Sequence, residues 1–121
     1  MDDRDSIRAL QRLALAFRDA RDWRRFHTPR NLAMGLSIEA AELQELFLWK
    51  SEDEARAFLA SPEGKARASE EIADVCVFLL YLAQECGIDL GDAVRAKIEL
   101  NGKKYPVEKS YGKAAKYTDL E

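Results

Sequence analysis

Apolar residues recur three and four positions apart through most of the chain, and the strict alternation of a half-buried strand is almost absent. This pattern predicts an all-α fold. Ile7, Leu10, Leu13 and Phe17 share one face of a first helix running from about Asp5 to Arg21. Thr28 as N-cap and Pro29 as first helical residue open a second helix that extends to about Trp49. A polar stretch, Lys50 to Glu54, separates it from a short helix, Glu54 to Ala60. Ser61 and Pro62 repeat the cap-and-proline signal and open a third long helix, which ends near Cys86 with Gly87 as its C-cap. Asp89 caps a fourth, which ends at Asn101 because Gly102 is a natural stop. Residues 1–102 therefore read as one helical domain, and residues 103–121 as a loop-like basic arm of it carrying Lys103, Lys104, Lys109, Lys113 and Lys116.

The third long helix is apolar almost all round between Ile72 and Ala83, which a lone surface helix is not. Neighbouring subunits covering it, in a homodimer or homotetramer, account for that, and a central helix of a four-helix monomer would look similar. The run is too short to span a bilayer and contains Asp74, and the amino terminus lacks a secretory pattern, so the reading is a soluble cytoplasmic protein with no membrane partner.

Composition narrows the chemistry. The chain has 121 residues, enough for one domain, and a net charge of −3, without the basic excess that drives binding to polymeric nucleic acid. Cys76 and Cys86 fit neither a zinc motif nor a redox pair and read as small core residues kept reduced. With His27 the only histidine, any bound metal must be held by oxygen, which favours a hard cation such as magnesium, with manganese as a substitute.

The oxygen donors stand out on the helical wheel. Glu39 and Glu42 are three residues apart, about 60° around one helix face. Glu39 falls within the apolar sector of Leu32, Leu36, Leu43 and Leu46, and Glu71, three residues before Asp74, shares a sector with Val75, Phe78 and Leu82. Carboxylates in low dielectric are costly unless a cation neutralises them, and no Lys or Arg lies at the matching spacing near Glu39. Packed antiparallel, the two helices would converge all four acids on one oxygen-ligand site for magnesium. A di-iron carboxylate bundle needs Glu-x-x-His motifs, which this chain lacks.

Glu39-x-x-Glu42 followed by Glu71-x-x-Asp74 resembles the signature of the MazG-like all-α nucleoside triphosphate pyrophosphohydrolases. Arg21-Asp22-Trp23, Phe26-His27-x-Pro29-Arg30-Asn31-Leu32, Glu45-Leu46-Phe47-x-Trp49-Lys50, Lys97-x-x-x-Asn101 and Lys104-Tyr105-Pro106 extend the likeness, which is greatest to the dCTP pyrophosphatase branch. The resemblance implies a four-helix, oligomeric bundle with sites at subunit interfaces, and magnesium on Glu39, Glu42, Glu71 and Asp74. It further implies a nucleobase pocket lined by Trp23 and Trp49, and sugar and phosphate contacts near Lys97, Asn101, Lys104 and Tyr105. His27, Arg30, Asn31 and Phe78 join the substrate-binding set. Ala14 stands where dCTP-specific relatives carry a histidine, Phe78 where they carry a tyrosine, and Gly102 where some carry a basic residue. The expected reaction is hydrolysis of a nucleoside triphosphate, with dCTP or a modified dCTP preferred, to the monophosphate and pyrophosphate in nucleotide-pool house-cleaning. Glu42 or Glu45 orients or deprotonates the attacking water. A dUTP-preferring or broad-specificity pyrophosphatase and a non-catalytic nucleotide-binding helical oligomer are the alternatives.

Overall fold

The computed structural model describes residues 3–120. Among them every regular element is helical, as the periodicity predicts. Residues up to Ile88 form one compact unit and those from Asp89 onward another.

The first unit holds α1 (Ile7–Asp19), α2 (Pro29–Glu45), α3 (Glu52–Ala60) and α4 (Pro62–Glu85). Each starts at a side-chain cap: Ser6, Thr28, Ser51 and Ser61 accept from the backbone N–H three residues on. At Ser51 the exchange is reciprocal, since Glu54 accepts the Ser51 N–H, and these hydrogen bonds hold the Glu54 carboxyl below its usual pKa. α4 is the central element, and α1, α2 and α3 all pack on it. The core is small: Ala14, Leu32, Leu46, Ala68, Leu80, Tyr81 and Ala83 are buried, with Leu32 only 2% exposed. Although three helices cover α4, Ile72 remains 57% exposed and Leu79 37%. Leu13 and Phe17 on α1 and Met34 and Ile38 on α2 are exposed as well. Cys76 and Cys86, expected in the core, are free thiols on the exposed side of α4 and at its C-cap, because the three helices packed on α4 leave part of it uncovered.

Helix two ends earlier than predicted. From Leu46 to Leu48 the N–H groups switch to i−3 carbonyls, and the Lys50 ammonium donates to the Leu46 carbonyl at 2.6 Å while lying 4.7 Å above the Phe58 ring. Lys50 thereby supplies the donor that the released carbonyl needs. Trp49 lands outside the helix, at φ +66°.

In the second unit, α5 (Leu90–Lys104) runs through Gly102 instead of stopping there. Glycine only weakens a helix; Pro106 ends this one, by forcing Tyr105 out of helical geometry to φ −124°, ψ 66°. The expected loop-like arm contains a short helix, α6 (Val107–Ser110), and a 3₁₀ turn at Tyr117–Asp119. Tyr105 and Tyr117 hold it locally, edge to face at 6.0 Å, with the Tyr117 N–H donating to the Tyr105 hydroxyl. No helix among the described residues is long and apolar enough to cross a membrane.

Candidate functional site

α2 and α4 meet in an antiparallel seam. Gly35 faces Phe78, and one turn further along α2 Glu39 faces Glu71. Glu39, Glu42 and Glu71 each offer a carboxylate oxygen, and the three oxygens lie within 4.8 Å of one another. One oxygen of Glu39 and one of Glu71 are buried without a hydrogen-bond partner, whereas Glu42 is exposed. No cation among the described residues forms an ion pair with any of the three.

The electrostatics follow from that crowding. Burial pushes the Glu39 carboxyl above its usual pKa, and repulsion from Glu42, a proton shared with Glu42, and the charges of Asp74 and Glu71 add to it. Glu71 shifts the same way, through burial first and then Glu42 and Asp74. Asp74 stands outside the triad of oxygens, but its charge reaches both glutamates. It also lines a second feature, an apolar groove of about 510 Å³ between α1 and α4 formed chiefly by Leu10, Leu13, Phe17, Val77 and Leu80. A cluster of hard oxygen donors with unpartnered buried atoms and no neutralising side chain fits a divalent cation.

The MazG-like family pattern matches residues 35–120, the stretch that carries all four acids. This chain belongs to the MazG-like family. It is 44% identical over 115 residues to dCTP pyrophosphatase 1 of Mus musculus, covering 95% of this chain and 68% of that protein. The Homo sapiens protein of the same name is 39% identical over the same coverage. A crystal structure of a pyrophosphatase from Archaeoglobus fulgidus superposes with a TM-score of 0.76 at 44% identity, covering 83% of this chain and 92% of that one. The chain is a member of this group of nucleotide pyrophosphohydrolases.

The other residues expected at the site are distributed unevenly. Glu45 is exposed on the last turn of α2, beside Trp49 in a shallow surface cleft and apart from the acid triad. Trp49 is 91% exposed, and its left-handed backbone is unusual for so bulky a residue. Trp23 follows α1, edge-on to Phe17 at 5.7 Å, with the Arg21 guanidinium 3.6 Å above the Phe17 ring. Arg30 is exposed in the first turn of α2, and the Asn31 side-chain amide donates to the Phe26 carbonyl, bracing the chain before α2. His27 lies 4.6 Å from the Tyr81 ring with its Nδ1 buried and unpartnered. Phe78 is half-buried in the α2–α4 seam. Lys97, Asn101, Lys104 and Tyr105 belong to the second unit, all on or just after α5, with the Lys104 ammonium 4.9 Å above the Tyr117 ring.

Sequence reasoning passed over Arg18. It is 3% exposed and pairs with Asp19 and Glu85, each at 2.9 Å, while Arg24 approaches Glu85 at 3.5 Å. The available signal was a cation one residue from Phe17 on an otherwise apolar helix face, facing an acid at the far end of α4.

Proposed function

We propose that this protein hydrolyses dCTP, or a modified dCTP, to the monophosphate and pyrophosphate with magnesium as cofactor, clearing unwanted nucleotides from the cytoplasmic pool. The observation that carries this reading is the convergence of carboxylate oxygens of Glu39, Glu42 and Glu71 within 4.8 Å, with buried oxygens on Glu39 and Glu71 that no described residue satisfies. Relatives named dCTP pyrophosphatase 1 at 39–44% identity support the substrate.

Glu39, Glu42 and Glu71, with Asp74 one turn along α4, would hold the ion. Bound there, magnesium supplies Lewis-acid polarisation of the phosphates and offsets charge on the departing pyrophosphate. Glu42, the exposed member of the triad, orients the attacking water and takes its proton. Trp49 and Trp23 offer aromatic faces to the base. Lys97, Asn101, Lys104 and Tyr105 offer groups suited to a sugar and phosphates, and His27, Arg30, Asn31 and Phe78 are further residues for substrate contact.

The exposed apolar surface of α1, α2 and α4 suits a homodimer or homotetramer in which each copy covers another. Leu13→Arg should then lower the mass seen by light scattering. The function is tested by incubating the protein with magnesium and each deoxynucleoside triphosphate in turn. Pyrophosphate released chiefly from dCTP is the expected result; equal release from all four would replace it with a broad-specificity enzyme. Binding without any release would make the chain a nucleotide-binding module.

A further inference from the structure

The α2–α4 seam contains one contact that ordinary packing would not tolerate with any larger residue. A Cβ placed on Gly35 would lie 2.4 Å from Cε1 of Phe78, 3.1 Å from Cδ1 and 3.2 Å from Cζ. The Phe78 ring edge therefore rests directly on the backbone of α2, in a niche that exists only because residue 35 has no side chain. The niche is next to the acid cluster. Gly35 is four residues before Glu39 and Phe78 four after Asp74, so the contact forms the layer one helical turn, about 6 Å, beyond the carboxylates. On its other side the ring meets Tyr81 edge-on at 6.2 Å, and Tyr81, 5% exposed and in tilted ring contact with His27, leaves it no inward room. A ring expelled from the niche can move only toward its exposed side.

We propose that Gly35 is a positioning residue for substrate: it seats the Phe78 ring against α2 and so keeps the layer beside the carboxylates open for the nucleoside of a metal-bound triphosphate. This rests on the nucleotide-hydrolysing role of the acid cluster. A methyl group at position 35 would displace the ring and narrow the nucleoside space while leaving the metal ligands in place.

The test compares wild type with Gly35→Ala, Phe78→Leu and the double variant. With phenylalanine labelled for NMR, Gly35→Ala should shift the Phe78 ring signals in the nucleotide-free protein and leave those of Phe47 and Phe58, paired with each other at 6.4 Å, in place. Calorimetric affinity for Mn²⁺ alone should stay within about twofold of wild type. KM for dCTP should rise about tenfold with kcat changed about twofold or less. In the double variant, KM should return to that of Phe78→Leu alone, because with the ring gone the methyl group has nothing to displace. An unchanged KM in Gly35→Ala, or a methyl effect that persists without the ring, overturns the proposal. If Gly35→Ala does not fold, the comparison of the double variant with Phe78→Leu decides alone. A wild type that neither binds Mn²⁺ nor hydrolyses dCTP would instead refute the functional reading beneath it.

Discussion

α4 carries Glu71 near its middle and Glu85 at its end, and the fold treats the two acids in opposite ways. Glu85 meets Arg18 at 2.9 Å and Arg24 at 3.5 Å, so the carboxylate is balanced by cations from the preceding elements. Glu71 meets Glu39 and Glu42, carboxylate against carboxylate, with no cation supplied by the described residues. The same helix thus shows that this chain can provide a guanidinium for a partly buried acid. Its failure to do so at Glu71 leaves negative charge available for an outside cation, and removing that charge should cost function without costing stability. The Glu85 end should show the reverse.

The largest expected effect breaks the comparison at the unbalanced end. Glu71→Gln should lower kcat/KM about a thousandfold, the loss of several kcal/mol of metal-assisted stabilisation. Because it removes repulsion, the metal-free variant should melt no lower than wild type, which differential scanning calorimetry checks. A variant that keeps full activity would place the metal elsewhere.

At the balanced end, Glu85→Ala leaves the buried Arg18 with Asp19 alone. Denaturant titration should show a loss of about 3 kcal/mol, the cost of stranding a buried charge. The magnesium concentration for half-maximal activity should stay where it is. A shift in that midpoint with unchanged stability would reverse the assignment of the two ends.

A smaller effect lies in the pH dependence of melting. Glu39 and Glu71 have raised pKa values in the fold, so the stability they allow is present at low pH and lost as pH rises through those values. His27 behaves oppositely. Burial first, then the Arg18 charge, lowers its pKa, so its contribution is present above the ordinary histidine range and lost as pH falls through the depressed value. Magnesium should remove the first dependence by neutralising the carboxylates and leave the second, whereas His27→Phe should remove only the second. Melting curves from pH 4 to 8, with and without magnesium, separate the two limbs.

Much of this molecule is legible in the order of its residues. Helical periodicity and the caps at Thr28, Ser61 and Asp89 fix where helices begin, because a side-chain oxygen three residues before an N–H acts locally. Helix ends were read less well. The end of α2 depends on a Lys50 side chain reaching back to Leu46, and the end of α5 on Pro106 and not Gly102. The wheel also placed Glu39 and Glu71 within apolar sectors, since three- and four-residue spacing on one helix needs no knowledge of its neighbours.

Convergence was beyond its reach. That Glu39, Glu42 and Glu71 meet, with Asp74 between them and the α1–α4 groove, depends on the rotation of α4 against two neighbours at once. That Arg18 finds Glu85 across 67 residues, and that Phe78 rests on Gly35, likewise depends on which faces pack. The sequence by itself determined the helices, their apolar faces and the anomalous acids upon them, all properties of single segments. Tertiary structure decided which of those acids share a site and which are paired, because spacing along one helix says nothing of the rotation and register at which it meets another.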